Sequence, residues 1–330
     1  MWVCKDCFAD EEMGKEVENN STDKGICDVC GKNGKRCDIS VFTDFFVSVI
    51  HLFKADINSH DTIISILEKD WKIFTDSQCA RTILAEVIRI SDLAINLDDT
   101  VSYTDDIVTR ASVWEQLKTD VKENYRFFVD HDKFDDYADL LLSSTLKEGT
   151  FLYRARITPD GEKKLKAKNM GCPEKSKATA GRANPLGIPY LYLCKDEETT
   201  FYEVRSVYLD RLSIGKFRIQ RDLEIVDFNS KFSLFLSYDG TTPLSDTVVK
   251  KKILEAIRYD LSKPLRRYDT ELEYIPTQLI CEYCKRNNAD GICFNSSLHS
   301  GGVNYVLFNP DDAKCTSVVS KEIKSIQIKV

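Results

Sequence analysis

Two cysteine pairs, Cys4-x2-Cys7 and, nineteen residues on, Cys27-x2-Cys30, constrain this chain more than any other feature. Four thiolates presented by two tight turns suit one tetrahedral zinc ion, and the spacing lies in the usual range for such sites. In CDVCGK the second turn has Gly31 where a permissive backbone is needed. Free thiols or disulfides are the competing reading, disfavoured in a reducing compartment and in a segment too short for a core of its own. A set of Cys4, Cys7, Cys27 and Cys30 leaves no open coordination position, so the expected role of Zn2+ is structural. Cys37, the fifth of the five cysteines in the first 40 residues, is spare or an alternative ligand.

Past residue 40 the pattern becomes helical. In SHDTIISILEKDWKIF, Ser59 or Asp61 can cap a helix on which Ile63, Ile64, Leu67 and Trp71 recur at helical spacing. RTILAEVIRISDLAI repeats this through Ile83, Val87, Ile90 and Leu93, and VWEQLKTDVKENYRFFV and FDDYADLLLSSTL continue it. Near Gly149 the period changes. TFLYRARI alternates like a strand, and YLYL, GKFRI, LEIVDF, GICF, NYVLF and SIQIKV add short strands between helical segments at EETTFYEVRSVY, DTVVKKKILEAIRYDL and PTQLICEYCKRNN. The expected organisation is a cysteine segment at 1–40, a helical domain at 41–148 and a mixed α/β domain at 149–330. The fold class is α+β.

No apolar run reaches the roughly 18 residues needed to span a bilayer. The start, MWVCKDCFADEEMGKE, is polar and acidic, unlike a secretory signal, and the expected location is the cytoplasm. A formal charge of −7 argues against a general nucleic-acid binder. Residues 151–195 nevertheless carry ten Lys/Arg against three acids, which is either a solvated loop or a site for a small phosphorylated ligand. Cys281 and Cys284 fall in an apolar helical pattern and read as buried small hydrophobes. His51, His60, His131 and His299 make no metal spacing; His299, in SSLHSGG, can line a site without doing chemistry.

Four segments of the last domain occur in a telling order: LYRAR with Arg154; GRANPLGIPYLYL with Arg182, Asn184, Gly187 and Tyr192; TTFYEV with Glu203; and GICFNSSLHSGGVNYVLFN with Ser296 and Asn304. Together, over roughly residues 150–310, they resemble the RES domain family, named for its Arg, Glu and Ser. The adjacent Ser297 leaves the serine ambiguous; the register favours Ser296. The resemblance implies a fold similar to ADP-ribosyltransferases and NAD as substrate. It also implies an antitoxin or regulatory protein as partner, since many members are toxins of toxin–antitoxin pairs. The N-terminal half resembles the HEPN/RES N-terminal extension of longer relatives.

The chemistry of NAD cleavage asks for the same residue types. Nicotinamide leaves as a neutral group from a cationic glycoside, and an oxocarbenium-like ribose remains. An arginine fork, Arg154 or Arg182, suits the pyrophosphate better than lysine would. Tyr192 offers an aromatic face, and Glu203 a carboxylate to hold ribose hydroxyls and offset developing positive charge. Ser296 can orient the ribose or accept a phosphate contact, and Asn304 joins the binding set. Each residue taken alone has a plainer reading: an exposed strand arginine, a core tyrosine, a solvated glutamate. Catalysis with water, phosphate or a macromolecule as acceptor stands against two alternatives, a catalytically silent NAD-binding module and a zinc/helical protein-interaction module.

Overall fold

The computed structural model describes residues 1–127, 141, 143–263 and 271–325. It divides into two compact units, Met1–Ser112 with Lys231–Lys252, and Val113–Ser230 with Ile253–Val330.

In the first unit, β1 (Trp2–Cys4), β2 (Asp23–Ile26) and β3 (Asn33–Asp38) form an antiparallel sheet in the order β1-β3-β2. Helix α1 (Glu11–Asn19) lies between β1 and β2 in the chain, where the sequence shows little periodicity. Only Met13 and Val17 of α1 are buried. Its start is decided by Asp10, whose side chain accepts hydrogen bonds from the Glu12 and Met13 amides. Helices α2 (Thr43–Ile50), α3 (Ile63–Ile66), α4 (Ser77–Ile90) and α5 (Asp105–Ala111) follow, with a small pairing of β4 (Phe53–Ala55) and β5 (Val101–Tyr103).

The cap of α3 is Thr62, in a reciprocal capping box with Ser65, rather than Ser59 or Asp61. The helical path continues through a π turn at Leu67–Trp71 and stops at left-handed Lys72. Helix α4 ends at Ile90, so Leu93 lies beyond it. The core is aromatic. Phe45 and Phe42 pack edge-on against Phe235 at 5.2 and 5.6 Å, and Phe46 stacks on Phe74 at 5.5 Å. Phe235 comes from far along the chain, as does Ser233, whose hydroxyl donates to Asp10 at 2.7 Å.

The second unit opens with α6 (Val113–Thr119) and is dominated by eight strands. These are β6 (Ser143–Leu146), β7 (Phe151–Ile157), β8 (Leu191–Cys194), β9 (Arg211–Ile219), β10 (Leu223–Asp227), β11 (Gly291–Asn295), β12 (Val303–Leu307) and β13 (Ala313–Glu322). They run in the order β13-β9-β7-β8-β12-β11-β10-β6. The β10–β11 pair is parallel; the other pairs are antiparallel. Helices α7 (Glu197–Glu203), α8 (Leu244–Ser262, of which residues to Lys252 belong to the first unit) and α9 (Ile275–Arg286) complete the elements used below. Leu152, Leu191, Leu193, Phe217, Ile225 and Leu307 form the centre of one buried cluster. Each such side chain contributes about 1.5–3 kcal/mol on burial.

Several expectations shift. Most of FDDYADLLLSSTL and of SIQIKV, and His131, lie outside the described residues. The end of the first of these segments is strand, not helix, because Ser143–Leu146 pairs with β10. Helix α7 is shorter than EETTFYEVRSVY; it ends at Glu203, and Arg205 and Leu209 turn the chain at positive φ. Strand β13, AKCTSVVSKE, is too polar to announce itself and is held by its pairing with β9. Cys281 and Cys284 are buried in α9. Among the described residues no helix is long and apolar enough to cross a membrane.

Candidate functional site

The Glu203 carboxylate is held by two side chains of the second unit. It sits at the last position of α7, which Asp196 starts by accepting a hydrogen bond from the Thr199 amide. Glu203 Oε1 accepts a hydrogen bond from Ser296 Oγ at 2.7 Å and another from Asn304 Nδ2 at 2.7 Å. Oε2 makes no hydrogen bond to a described residue, which leaves one oxygen for a ligand. Ser296 follows β11, and Asn304 lies on β12, where it pairs with Cys194 of β8 and its Oδ1 accepts from the Cys194 thiol at 3.3 Å. Of the two serines, Ser296 is the one that reaches Glu203.

Arg154 on β7 presents the complementary charge. Its Nη1 is buried with no hydrogen-bond partner among the described residues. Burial, and then the like charge of Arg156, hold its guanidinium below its ordinary pKa. A guanidinium stays charged even so. A buried cation with an unmet donor costs several kcal/mol unless an anion arrives. The arrangement is therefore one of stored demand for an oxyanion.

Arg154, Arg182, Tyr192, Glu203 and Asn304 line one cavity of about 440 Å³; Ser296 reaches it through Glu203. The turn at 181–184 forms a wall of this cavity and is braced from three sides. The Tyr192 hydroxyl donates to Asn184 Oδ1 at 2.8 Å and accepts from the Ala183 amide at 3.0 Å. Thr277 Oγ1 donates to the Arg182 carbonyl at 2.6 Å, and Gln278 Nε2 to the Gly181 carbonyl at 2.8 Å. Gly181 is required here, since a Cβ would lie 2.5 Å from Asn184 Oδ1. Burial raises the pKa of the Tyr192 phenol, so it stays protonated and able to donate.

Arg182 is spent differently from the sequence expectation of a phosphate fork. Its Nη1 donates to the carbonyls of Leu261 at 2.5 Å and Ser262 at 3.4 Å, and its Nη2 to Lys263 at 3.0 Å. A cation on the last carbonyls of α8 is a C-terminal cap. Cys194, Thr200, Phe294 and Tyr274 also line the cavity without having been singled out in the sequence. Two carried a signal in the sequence, and a third is explained by strand pairing. Thr200 is one helical turn before Glu203, Cys194 is two strand positions after Tyr192, and Phe294 pairs with Asn304. Nothing in the sequence marks Tyr274.

The family model described as RES domain matches residues 151–326. The chain belongs to the RES domain family. Of solved structures, a chain in the crystal structure of the M. tuberculosis MbcT–MbcA toxin–antitoxin complex is similar at 15% identity, over 66% of this chain and 93% of that chain. Its TM-score is 0.32, too low to carry an argument. No curated protein matches the chain. The RES match spans the strands and the helix that place Arg154, Tyr192, Glu203, Ser296 and Asn304.

The four paired N-terminal cysteines lie outside the RES domain. The sulfurs of Cys4, Cys7, Cys27 and Cys30 are all within 4.8 Å of one another. Neighbouring pairs are 3.9 Å (Cys4–Cys7), 3.4 Å (Cys4–Cys30) and 3.5 Å (Cys7–Cys27) apart. Four sulfurs about 2.3 Å from one tetrahedral ion would be about 3.8 Å apart, so the set is close to the size of a metal cage. Gly31, at φ 73°, makes the second turn. Cys37 is buried on β3 outside the set, and burial pushes its thiol up to about 11, so it behaves as a small hydrophobe.

Proposed function

We propose that the RES domain cleaves the nicotinamide–ribose bond of NAD. The observation that carries this reading is the cavity in which Arg154, whose buried Nη1 has no partner among the described residues, and the Glu203 carboxylate, gripped by Ser296 and Asn304, meet as lining residues. Arg154 would take a pyrophosphate oxyanion and stay bound in ground and transition states alike. Glu203 Oε2 would hold a ribose hydroxyl, and its charge would offset the positive charge that grows on the anomeric carbon as neutral nicotinamide leaves. The Tyr192 ring would pack on the nicotinamide while its hydroxyl braces the 181–184 turn. We assign Arg182 to shaping that wall, since its Nη atoms already serve carbonyls.

At the cysteine cluster we propose one structural Zn2+, and for the protein a toxin or defence role with an antitoxin or regulatory partner. The helical stretch 41–148 would regulate or target the catalytic domain. A soluble fragment from Lys147 should then keep some NAD cleavage. Complete loss of chemistry in a folded fragment would mean that the helices complete the active site.

The deciding experiment is to incubate the purified protein with NAD, with and without inorganic phosphate and with cell extract, and identify the products. Nicotinamide release supports the reading; the partner product names the acceptor as water, phosphate or protein. NAD left intact under all three conditions overturns it in favour of a silent binding module.

A further inference from the structure

The loop Ser296–Gly302 links β11 to β12 and folds back on itself. The Ser296 amide donates to the Gly302 carbonyl at 2.8 Å, and the Gly302 amide to the His299 carbonyl at 3.0 Å. Ser296 Oγ accepts from the amides of Leu298 and His299, both at 3.1 Å, while donating to Glu203. One hydroxyl thus organises the loop and holds the carboxylate. Something must in turn hold the loop to α7.

His299 is placed to do this. Its ring stacks on Tyr202, with centroids 4.6 Å apart and planes 4° from parallel. Its Nδ1 is 3.0 Å from the buried Thr199 Oγ1, and its Nε2 is 3.6 Å from Glu198 Oε1. Thr199 and Tyr202 are three apart on α7 and therefore share a face. The Thr199 hydroxyl also lies 2.8 and 2.9 Å from the two oxygens of Asp196. Burial pushes the Asp196 carboxyl up, but bonds from Thr199 outweigh this and leave it below the ordinary value. An ionised carboxylate only accepts, and a hydroxyl has one proton to give. Thr199 therefore donates to Asp196, and His299 Nδ1 carries the proton that Thr199 accepts. The fit is close: a Cβ on Gly302 would come within 2.6 Å of Thr199 Oγ1 and 3.1 Å of His299 Nδ1.

We propose that His299 is a positioning residue that latches the Ser296 loop onto α7 through Thr199 and Tyr202, and so sets where Ser296 holds Glu203. The proposal rests on the NAD reading of the pocket. His299 does not line the cavity, so its effect on turnover passes through the Ser296 loop and α7. A displacement of about 1 Å at a reacting group costs on the order of a hundredfold in rate.

The test uses the full chain and four proteins: wild type, His299→Ala, His299→Asn and Thr199→Val. Asparagine keeps a donor near the Nδ1 position, and valine keeps the threonine volume without its hydroxyl. For His299→Ala the expected result is a kcat lower by roughly ten- to a hundredfold with KM for NAD within about twofold, the signature of lost positioning rather than lost binding. His299→Asn should recover much of the rate, and Thr199→Val should fall between. Amide hydrogen exchange over residues 296–302 should speed up in His299→Ala and Thr199→Val and not in His299→Asn. Wild-type kcat together with unchanged exchange in His299→Ala overturns the latch, as does a rise in KM alone. If wild type leaves NAD intact, the pocket reading fails, and the exchange experiment still decides the latch.

Discussion

The cysteine cluster and the Glu203 pocket both gather groups that are costly to bury, and they resolve the cost in opposite ways. In the first, four sulfurs turn toward one another within 4.8 Å, a demand that the proposed single ion at their centre would meet. In the second, among the described residues, Glu203 has partners on one oxygen only and a buried nitrogen of Arg154 has none, beside about 440 Å³ of cavity. A closed set is satisfied by something that stays. An open set is satisfied by something that comes and goes. On the proposed reading, the contrast separates a site that would hold the fold together from one that would turn over a substrate.

The largest effect should come from emptying the closed set. Cys4→Ser with Cys27→Ser should abolish a metal content of about one ion per chain and unfold the N-terminal sheet, since structural zinc contributes on the order of 10 kcal/mol in small domains. Elemental analysis and thermal melting would show both, while NAD cleavage by the folded RES domain persists. Metal-free wild type of undiminished stability would break the comparison.

Next in size is Glu203→Gln, which removes charge but little volume. Turnover should drop about a hundredfold or more, near 3 kcal/mol of transition-state stabilisation, with metal content and melting unchanged. Turnover equal to wild type would remove Glu203 from the chemistry and leave the family membership untouched.

A smaller loss is expected from Ser296→Ala. It deletes one of two hydrogen bonds to a charged group, worth about 1.5–3 kcal/mol, and Asn304 still holds the carboxylate. Ser297→Ala should have the kcat of wild type. A reversal of the two serines would show that the register of the loop differs from the one described.

The smallest effect tests where the closed set stops. Cys37→Ala should cost about 1 kcal/mol as a small cavity and leave the metal at one ion per chain. Loss of metal would make Cys37 a ligand and the cluster a different one.

How much of this was written in the chain depends on how local the information is. The cysteine pairs were legible because each is a turn whose thiols lie three residues apart, so spacing alone implies geometry. Arg154, Tyr192 and Glu203 were legible as types in order: an alternating strand, a second strand and a capped helix can be read segment by segment, and the family pattern ties them together. What the sequence could not convey is who answers whom. The Arg182 fork serves carbonyls about eighty residues away, at the end of α8, a match that depends on where that helix stops. Phe235 belongs to the aromatic core of the first unit although it lies inside the stretch 149–330. Strand β13 exists because β9 offers it hydrogen bonds, not because its own polar sequence asks for a sheet. The sequence by itself determined which chemical groups are present and which short stretches are turns, strands and helices, because those are set by neighbours along the chain. Tertiary structure decided which donors are spent and which are left waiting, because pairing is settled only when distant segments compete for the same partners.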